Sequence, residues 1–243
     1  MQDQFEGTDE YNNISGLLGI SGGDDSELLG ALRRMNPIRR QRTINRLAQG
    51  AGPSRGSRAD MEKLFPELPS HIKAALAKGE LRLADTIIYS IKKVGASRTV
   101  KLYETQDVKT TGITSISGAK LTKNSALAVS GIFLLAGIPA GVPNSTPDQI
   151  MSATYDKVEL FPAILTGEFN IKANKKVILP ETSIKMFATS NNTTVPLGYY
   201  RLDNPRLIQD DVLIEATVEL GTTLGLDPNT YLYVGLHGTI TTP

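Results

Sequence analysis

Residues 212–220 read VLIEATVEL, and this stretch decides the fold class. Its apolar side chains alternate with polar ones: Val212, Ile214, Ala216, Val218 and Leu220 against Glu215, Thr217 and Glu219. Successive side chains of a β-strand point to opposite faces, so an alternation with period two indicates a strand with one buried face. The sequence therefore predicts a half-buried strand at this position.

The stretch 230–240, TYLYVGLHGTI, has the same alternation. Leu232, Val234, Leu236 and Ile240 oppose Tyr231, Tyr233, His237 and Thr239. Eight more segments are rich in β-branched residues and are separated by turn residues; they are 85–94, 98–105, 126–136, 156–161, 164–172, 175–179, 184–188 and 197–202. Because no helices alternate with these strands, we expect a mainly β protein in which residues 81–243 form an antiparallel β-sandwich.

The run 126–142 is almost wholly apolar and uncharged. Seventeen residues is about the shortest length that spans a membrane as a helix. However, Gly131, Gly137, Pro139 and Gly141 interrupt the run. A buried strand over 127–135 that leads into a loop explains the segment more simply, which leaves contact with a membrane as the minor alternative.

Residues 1–80 differ from the rest of the chain in charge and pattern. Residues 1–30 hold seven acidic side chains and no basic one, whereas 31–58 hold eight arginines and no acidic residue. Short helices are predicted at 26–35 and 38–49, and a third helix has Ser70 as its N-cap and Gly79 as its stop. We therefore expect an N-terminal arm, residues 1–80, that is helical and partly extended.

The arginine-rich segment is the one functional signal in the composition. Its side chains could neutralise several phosphates of a nucleic acid, or contact the inner surface of a shell. Pairing with the acidic residues of 1–30, or with an acidic patch on a neighbouring subunit, remains an alternative. No base-reading motif accompanies the segment, so any nucleic-acid binding would be independent of sequence. The candidate contact residues are Arg33, Arg34, Arg39, Arg40, Arg42, Arg46, Arg55 and Arg58.

Catalytic and metal-binding patterns are absent from the sequence. The chain has no cysteine and two histidines that lie far apart, which disfavours a zinc or iron site. We interpret His71 as a residue near a helix start and His237 as a hydrogen-bonded structural residue. We accordingly expect no enzyme activity, cofactor, metal or small-molecule substrate. A carbohydrate-binding or hydrolytic sandwich is an alternative that no residue pattern supports.

Four stretches carry a resemblance to a known family. They are 167–174 (GEFNIKAN), 198–206 (GYYRLDNPR), 212–220 and 230–239. Together they resemble the jelly-roll capsid proteins of tailless icosahedral bacteriophages, over residues 85–243. The resemblance is one of general style, without a diagnostic motif.

The resemblance implies a virion structural protein that associates with copies of itself into capsomers. Its arms would contact neighbouring subunits, other virion proteins, the genome or an internal membrane. The length of the β-rich part fits one jelly roll better than two fused ones. Because no basic residue precedes Arg33 and no apolar run follows the first residues, synthesis in the host cytoplasm is expected.

Overall fold

The computed structural model describes residues 57–141, 144–189 and 195–243. This part of the chain is mainly β, as the sequence predicts. Its strands are β1 (Arg82–Lys93), β2 (Thr99–Lys101), β3 (Leu127–Gly137), β4 (Asp156–Lys157), β5 (Glu168–Ala173), β6 (Lys176–Ser183), β7 (Tyr199–Ile208), β8 (Ile214–Glu219) and β9 (Tyr231–Thr242). The predicted strand 85–94 corresponds to β1, which begins three residues earlier and ends at Lys93.

Short helices connect or precede the strands. The α-helices in the described residues are α1 (Ser57–Lys63), α2 (Ser70–Ala77), α3 (Pro147–Ser152) and α4 (Pro162–Leu165). Three single 3₁₀ turns span Phe65–Glu67, Val158–Leu160 and Ile184–Phe187. The helices predicted at 26–35 and 38–49 lie outside the described residues.

The strands form two antiparallel sheets that pack as a sandwich. Sheet A has the order β1-β9-β3, and both β4 and β7 pair with β3 at its other side. Sheet B has the order β2-β8-β5-β6. The two clearest sequence patterns belong to interior strands, since β8 lies inside sheet B and β9 inside sheet A.

The strand pairs are nested in the sequence. β1 pairs with β9, β2 with β8, β3 with β7 and β5 with β6. Successive pairs alternate between the two sheets, as if one long hairpin of four strand pairs were folded across the sandwich. The first and last strands are consequently neighbours, and Arg82 is opposite Thr242.

The space between the sheets is filled by apolar side chains. Phe169 and Phe187 meet edge to face with ring centroids 5.5 Å apart, and both are fully buried. Burial of one such side chain contributes about 1.5–3 kcal/mol to folding. The core-facing residues of β8 and β9 are those that the alternation predicts, including Ile214, Val218 and Leu232.

The strand predicted at 184–188 is wrong, because Ile184–Phe187 form a 3₁₀ turn. The Ser183 hydroxyl accepts a hydrogen bond from the Lys185 N–H and begins the turn. A three-residue period places both Ile184 and Phe187 in the core, whereas a strand would direct them to opposite faces. Local apolar composition alone does not distinguish these two arrangements.

Other element boundaries also differ from the predictions. Pro162 begins α4, so the strand predicted from residue 164 begins at Glu168. The strands predicted at 98–105 and 156–161 are only three and two residues long. Ser70 is the first residue of α2 and Pro69 is its N-cap, although Gly79 ends the helix with a positive φ of 74° as predicted.

Three edge strands, β1, β6 and β7, are protected against further strand pairing. Residues 110–115 cover the outer edge of β1, where the Ile91 N–H donates to the Ile113 carbonyl at 2.8 Å. On the other side, β7 contains Pro205 and β6 contains Pro180, and both strands have register shifts. Proline and irregular register disfavour addition of another strand. Contacts with other molecules are therefore favoured at faces and loops.

Candidate assembly surface

The outward face of sheet A is divided into two halves. α1 and α2 cover the half near the start of β1 and of β3, where Met61 and Ile72 pack on Ala126 and Ala128. Leu68, between the two helices, joins the same apolar cluster. Residues that we placed in the N-terminal arm thus pack directly on the sandwich.

Aromatic side chains occupy the other half of this face, near the end of β1. All are partly exposed. We call this surface the aromatic patch; it consists of Tyr89, Phe133, Tyr155, Tyr199, Tyr233 and His237. Aromatic side chains are enriched at protein interfaces because they bury a large area with little loss of conformational entropy.

Tyr199, Phe133 and His237 form one half of the aromatic patch. The Tyr199 hydroxyl lies 3.2 Å from Nδ1 of His237, at hydrogen-bond distance. The Tyr199 ring crosses β3 above Gly131, where any Cβ would overlap the ring. Phe133 packs against Tyr199 with ring centroids 4.7 Å apart. His237 therefore has the hydrogen-bonded position that the sequence predicts.

Three tyrosines form the other half. Tyr89 stacks on Tyr233 at 5.9 Å, and Tyr155 packs on the same ring at 6.2 Å. The Tyr89 hydroxyl accepts a hydrogen bond from the Gly112 N–H, and the Tyr155 hydroxyl donates to the Ile150 carbonyl. Burial raises the pKa of Tyr155 to about 12. The pKa of Tyr233 is also raised, mainly by burial and to a smaller extent by the nearby Tyr89. Tyr155 and Tyr233 are therefore neutral at physiological pH.

Charged residues border the aromatic patch along β7. Leu202 points into the core, so that Arg201 and Asp203 on either side point outward, and both are exposed. The pKa of Tyr199 is raised, mainly by burial. The nearby Arg201 guanidinium opposes this increase, and the Asp60 carboxylate adds to it. Asp60 itself is buried in α1 and has one side-chain oxygen without a hydrogen-bond partner. The patch is thus edged by side chains of both signs.

A partly buried ion-pair cluster fixes the loop that follows β2. Lys92 Nζ lies 2.7 Å from Glu104 Oε2 and 2.5 Å from Asp107 Oδ1. Burial alone would lower the pKa of Lys92, but the two carboxylates outweigh this effect and raise it. The Tyr103 hydroxyl adds a buried hydrogen bond to the Ile88 carbonyl. The loop is thereby attached to β1.

Asn229 connects two loops at the opposite end of sheet A from α2. Its side-chain Nδ2 lies 2.7–2.8 Å from three acceptors, the carbonyls of Pro139 and Gly141 and the Ser145 hydroxyl, which share its two hydrogens. The residue is 2% exposed, and its Oδ1 has no partner. One buried side chain therefore positions the loops after β3 and before β9.

A shallow cavity of about 410 Å³ lies on the outward face of sheet B. Lys101, Lys172, Glu215 and Thr217 are among its lining residues. Thr217 donates a hydrogen bond to Asn170 across the sheet at 2.8 Å. The cavity is polar, and the described residues contain no group of three or more side chains arranged to hold a metal ion.

Of the eight candidate arginines, only Arg58 lies among the described residues whose side chains are defined. It is exposed and pairs with Glu62 one turn later in α1, at 3.0 Å. The predicted contact of Arg33, Arg34, Arg39, Arg40, Arg42, Arg46 and Arg55 concerns residues outside the described ranges. It therefore remains a prediction, as does that of Arg58.

The aromatic patch was not found from the sequence. His237 and Tyr233 belong to one predicted strand, but Tyr89, Phe133, Tyr155 and Tyr199 come from distant segments. The sequence does contain one indication of this surface. In 230–240 the alternation places Tyr233 and His237 on the face opposite the core-facing residues. In the described ranges, no helix has the length and apolar character needed to cross a membrane.

No protein-family model matches the sequence. No curated protein matches it either. The fold class of the protein is an antiparallel β-sandwich with nested strand pairs.

Proposed function

We propose that the protein is a virion structural protein, a capsid subunit that assembles with copies of itself. The nested pairing of β1–β9, β2–β8, β3–β7 and β5–β6 is the observation that carries the proposal. It is the arrangement expected of a single jelly roll, an architecture used by viral capsid and lectin domains. Fold alone does not define function, so the surfaces must supply the remaining support.

The filled interior favours a function on the outside of the sandwich. Phe169, Phe187 and Ile132 between the sheets are fully buried. The partly exposed aromatic patch is the surface best suited to protein contact, because its rings are already packed on one another. A subunit that must meet several neighbours needs such preorganised faces on a rigid body.

Protected sheet edges also support assembly into a closed particle. Pro205 in β7, Pro180 in β6 and the loop along β1 all disfavour strand addition. Open edges would favour continuous pairing and aggregation. Contacts through faces and loops can instead follow a closed symmetry.

Electron microscopy and sedimentation velocity of the purified full chain test this proposal. We expect large, closed, symmetric assemblies that form from a smaller species as protein concentration rises. A chain that remains monomeric at high concentration in low and high salt would exclude a capsid subunit.

A second candidate function is sequence-independent nucleic-acid binding. The eight arginines of residues 33–58, with no acidic residue in 31–58, favour it. Such binding weakens steeply with salt because neutralised phosphates release counterions. Replacing the eight arginines by glutamine should abolish retention on DNA or RNA in low salt. Unchanged retention would assign the segment to protein contacts.

A further inference from the structure

We propose that the aromatic patch and the neighbouring Arg201 and Asp203 form a two-fold contact between two copies of this chain. This inference rests on the proposed function, because it identifies one of the surfaces through which subunits would meet. The occupant of the patch is thus a second copy that uses the same surface.

The aromatic patch is partly open to solvent, whereas the other half of the same sheet face is covered. Its six ring-bearing side chains are partly exposed, and Ile87 beside Gly235 is 40% exposed. The chain's own α1 and α2 cover only the other half of the same face. Contiguous aromatic side chains that remain partly exposed are typical of protein interaction sites.

Charge identifies which partner fits. Arg201 and Asp203 both project from the outward face of β7, about 7 Å apart along the strand. Neither forms an ion pair with another residue in the described ranges. A two-fold axis near Leu202 would place Arg201 opposite the partner's Asp203, and Asp203 opposite the partner's Arg201.

This pattern is complementary to itself. In a two-fold contact, if one residue meets a second, the second also meets the first. A row of one sign could not satisfy that relation, since it would meet its own sign. A nucleic acid would gain little at the same place, because the negative charge of Asp203 offsets the attraction of Arg201 for phosphates.

Charge reversal in the full-length chain tests the arrangement. R201D places two aspartates opposite two aspartates, and D203R places arginines opposite arginines. We expect each single change to weaken self-association about tenfold or more in sedimentation velocity, because symmetry creates two like-charge contacts. The double variant R201D/D203R restores opposite charges and should return to within about threefold of the original affinity.

Matched controls separate this contact from an effect of net charge. K101D and E181R make the same changes of charge at exposed positions of sheet B and should leave the affinity unchanged. Circular dichroism checks that every variant is folded. Single reversals without effect, a double variant that stays weak, or an original chain that does not self-associate would each overturn the proposed contact.

Electron microscopy of the same samples distinguishes this inference from the proposed function. If R201D and D203R form particles as readily as the original chain does, the result would support a capsid subunit and overturn the two-fold contact. If the chain forms only a reversible dimer, which each single reversal weakens and the double variant restores, the result would support the contact and count against the capsid proposal.

Discussion

The Tyr199 hydroxyl reaches Nδ1 of His237, 3.2 Å away, from a strand that is not adjacent to that of the histidine. Tyr199 lies on β7 and His237 on β9, with β3 between them. The contact exists because Gly131 of β3 leaves room for the phenol ring. One side chain thus joins three strands of sheet A and organises half of the aromatic patch.

Substitution of Gly131 by alanine should destabilise the fold by about 1–3 kcal/mol, because the new methyl group must displace the Tyr199 ring. Denaturant unfolding measures the change. In a Tyr199→Ala background, the same glycine substitution should cost much less. Equal costs in both backgrounds would mean that the ring is not what Gly131 accommodates.

Replacement of Asn229 should loosen the loops after β3 and before β9. N229A leaves the buried Pro139 carbonyl and the partly buried Gly141 carbonyl without this donor and should lower the free energy of unfolding by about 1–3 kcal/mol. N229D should lower the free energy of unfolding further at neutral pH, because a negatively charged carboxylate oxygen would face those carbonyl oxygens. Thermal unfolding and hydrogen exchange at residues 137–141 provide the measurement. An N229D protein as stable as the original would contradict the hydrogen-bond pattern.

Removal of the Lys92 ammonium should matter more than removal of an exposed one. K92M leaves Glu104 and Asp107 without their shared cation and should cost about 1–3 kcal/mol. The control is K120M, because the Lys120–Asp211 pair has a similar 2.9 Å distance but exposed side chains. That control should cost less than about 1 kcal/mol in the same denaturant titration. If K92M and K120M lower the free energy of unfolding equally, burial does not make the Lys92 cluster more important for stability than the exposed pair.

Tyr155 should ionise late in an alkaline titration. Burial raises its pKa from 10.0 to about 12, so the folded state holds this proton more tightly than the unfolded chain. Its contribution to stability is therefore complete below pH 10 and declines as pH rises towards 12. Phenolate absorbance should lose a late-titrating component in Tyr155→Phe. A variant whose titration keeps that component would assign it to another tyrosine.

Deletion of residues 1–56 should leave the β-sandwich folded but impair assembly. The described core is formed by residues from α1 onward, including Met61 and Ile72 against sheet A. Circular dichroism should retain the β signal, and sedimentation should reveal smaller species than the full chain. An unfolded product, or undiminished assembly, would contradict the separate roles of arm and sandwich.

Much of the fold could be predicted from local pattern, and the errors have physical causes. The alternation in β8 and β9 places Ile214, Val218 and Leu232 in the core correctly. The 3₁₀ turn at Ile184–Phe187 was predicted as a strand because four residues with three apolar side chains, Ile184, Met186 and Phe187, are too few to distinguish the two periods. The 126–136 segment was predicted correctly as a buried strand, since Gly131, Gly137, Pro139 and Gly141 interrupt the apolar run 126–142 and disfavour a membrane-spanning helix.

The candidate surface could not be predicted, because its residues converge only after the strands pair. Phe133 and Tyr199 are far apart in the chain, and neither segment indicates its partner or register. The Gly131 gap that admits the Tyr199 ring has meaning only when β3 lies between β7 and β9. An outward-facing aromatic residue in one strand is, by itself, an ordinary surface residue.

The sequence alone determined that residues beyond about 81 form half-buried strands, because side-chain alternation is a local property of the extended backbone. Only the tertiary structure decided that the strands nest as four pairs and that Tyr199 meets His237. Alternation fixes which face of a strand is apolar but not which strand lies beside it. That choice depends on long-range packing, where the shape of residues such as Gly131 and Gly238 determines the fit.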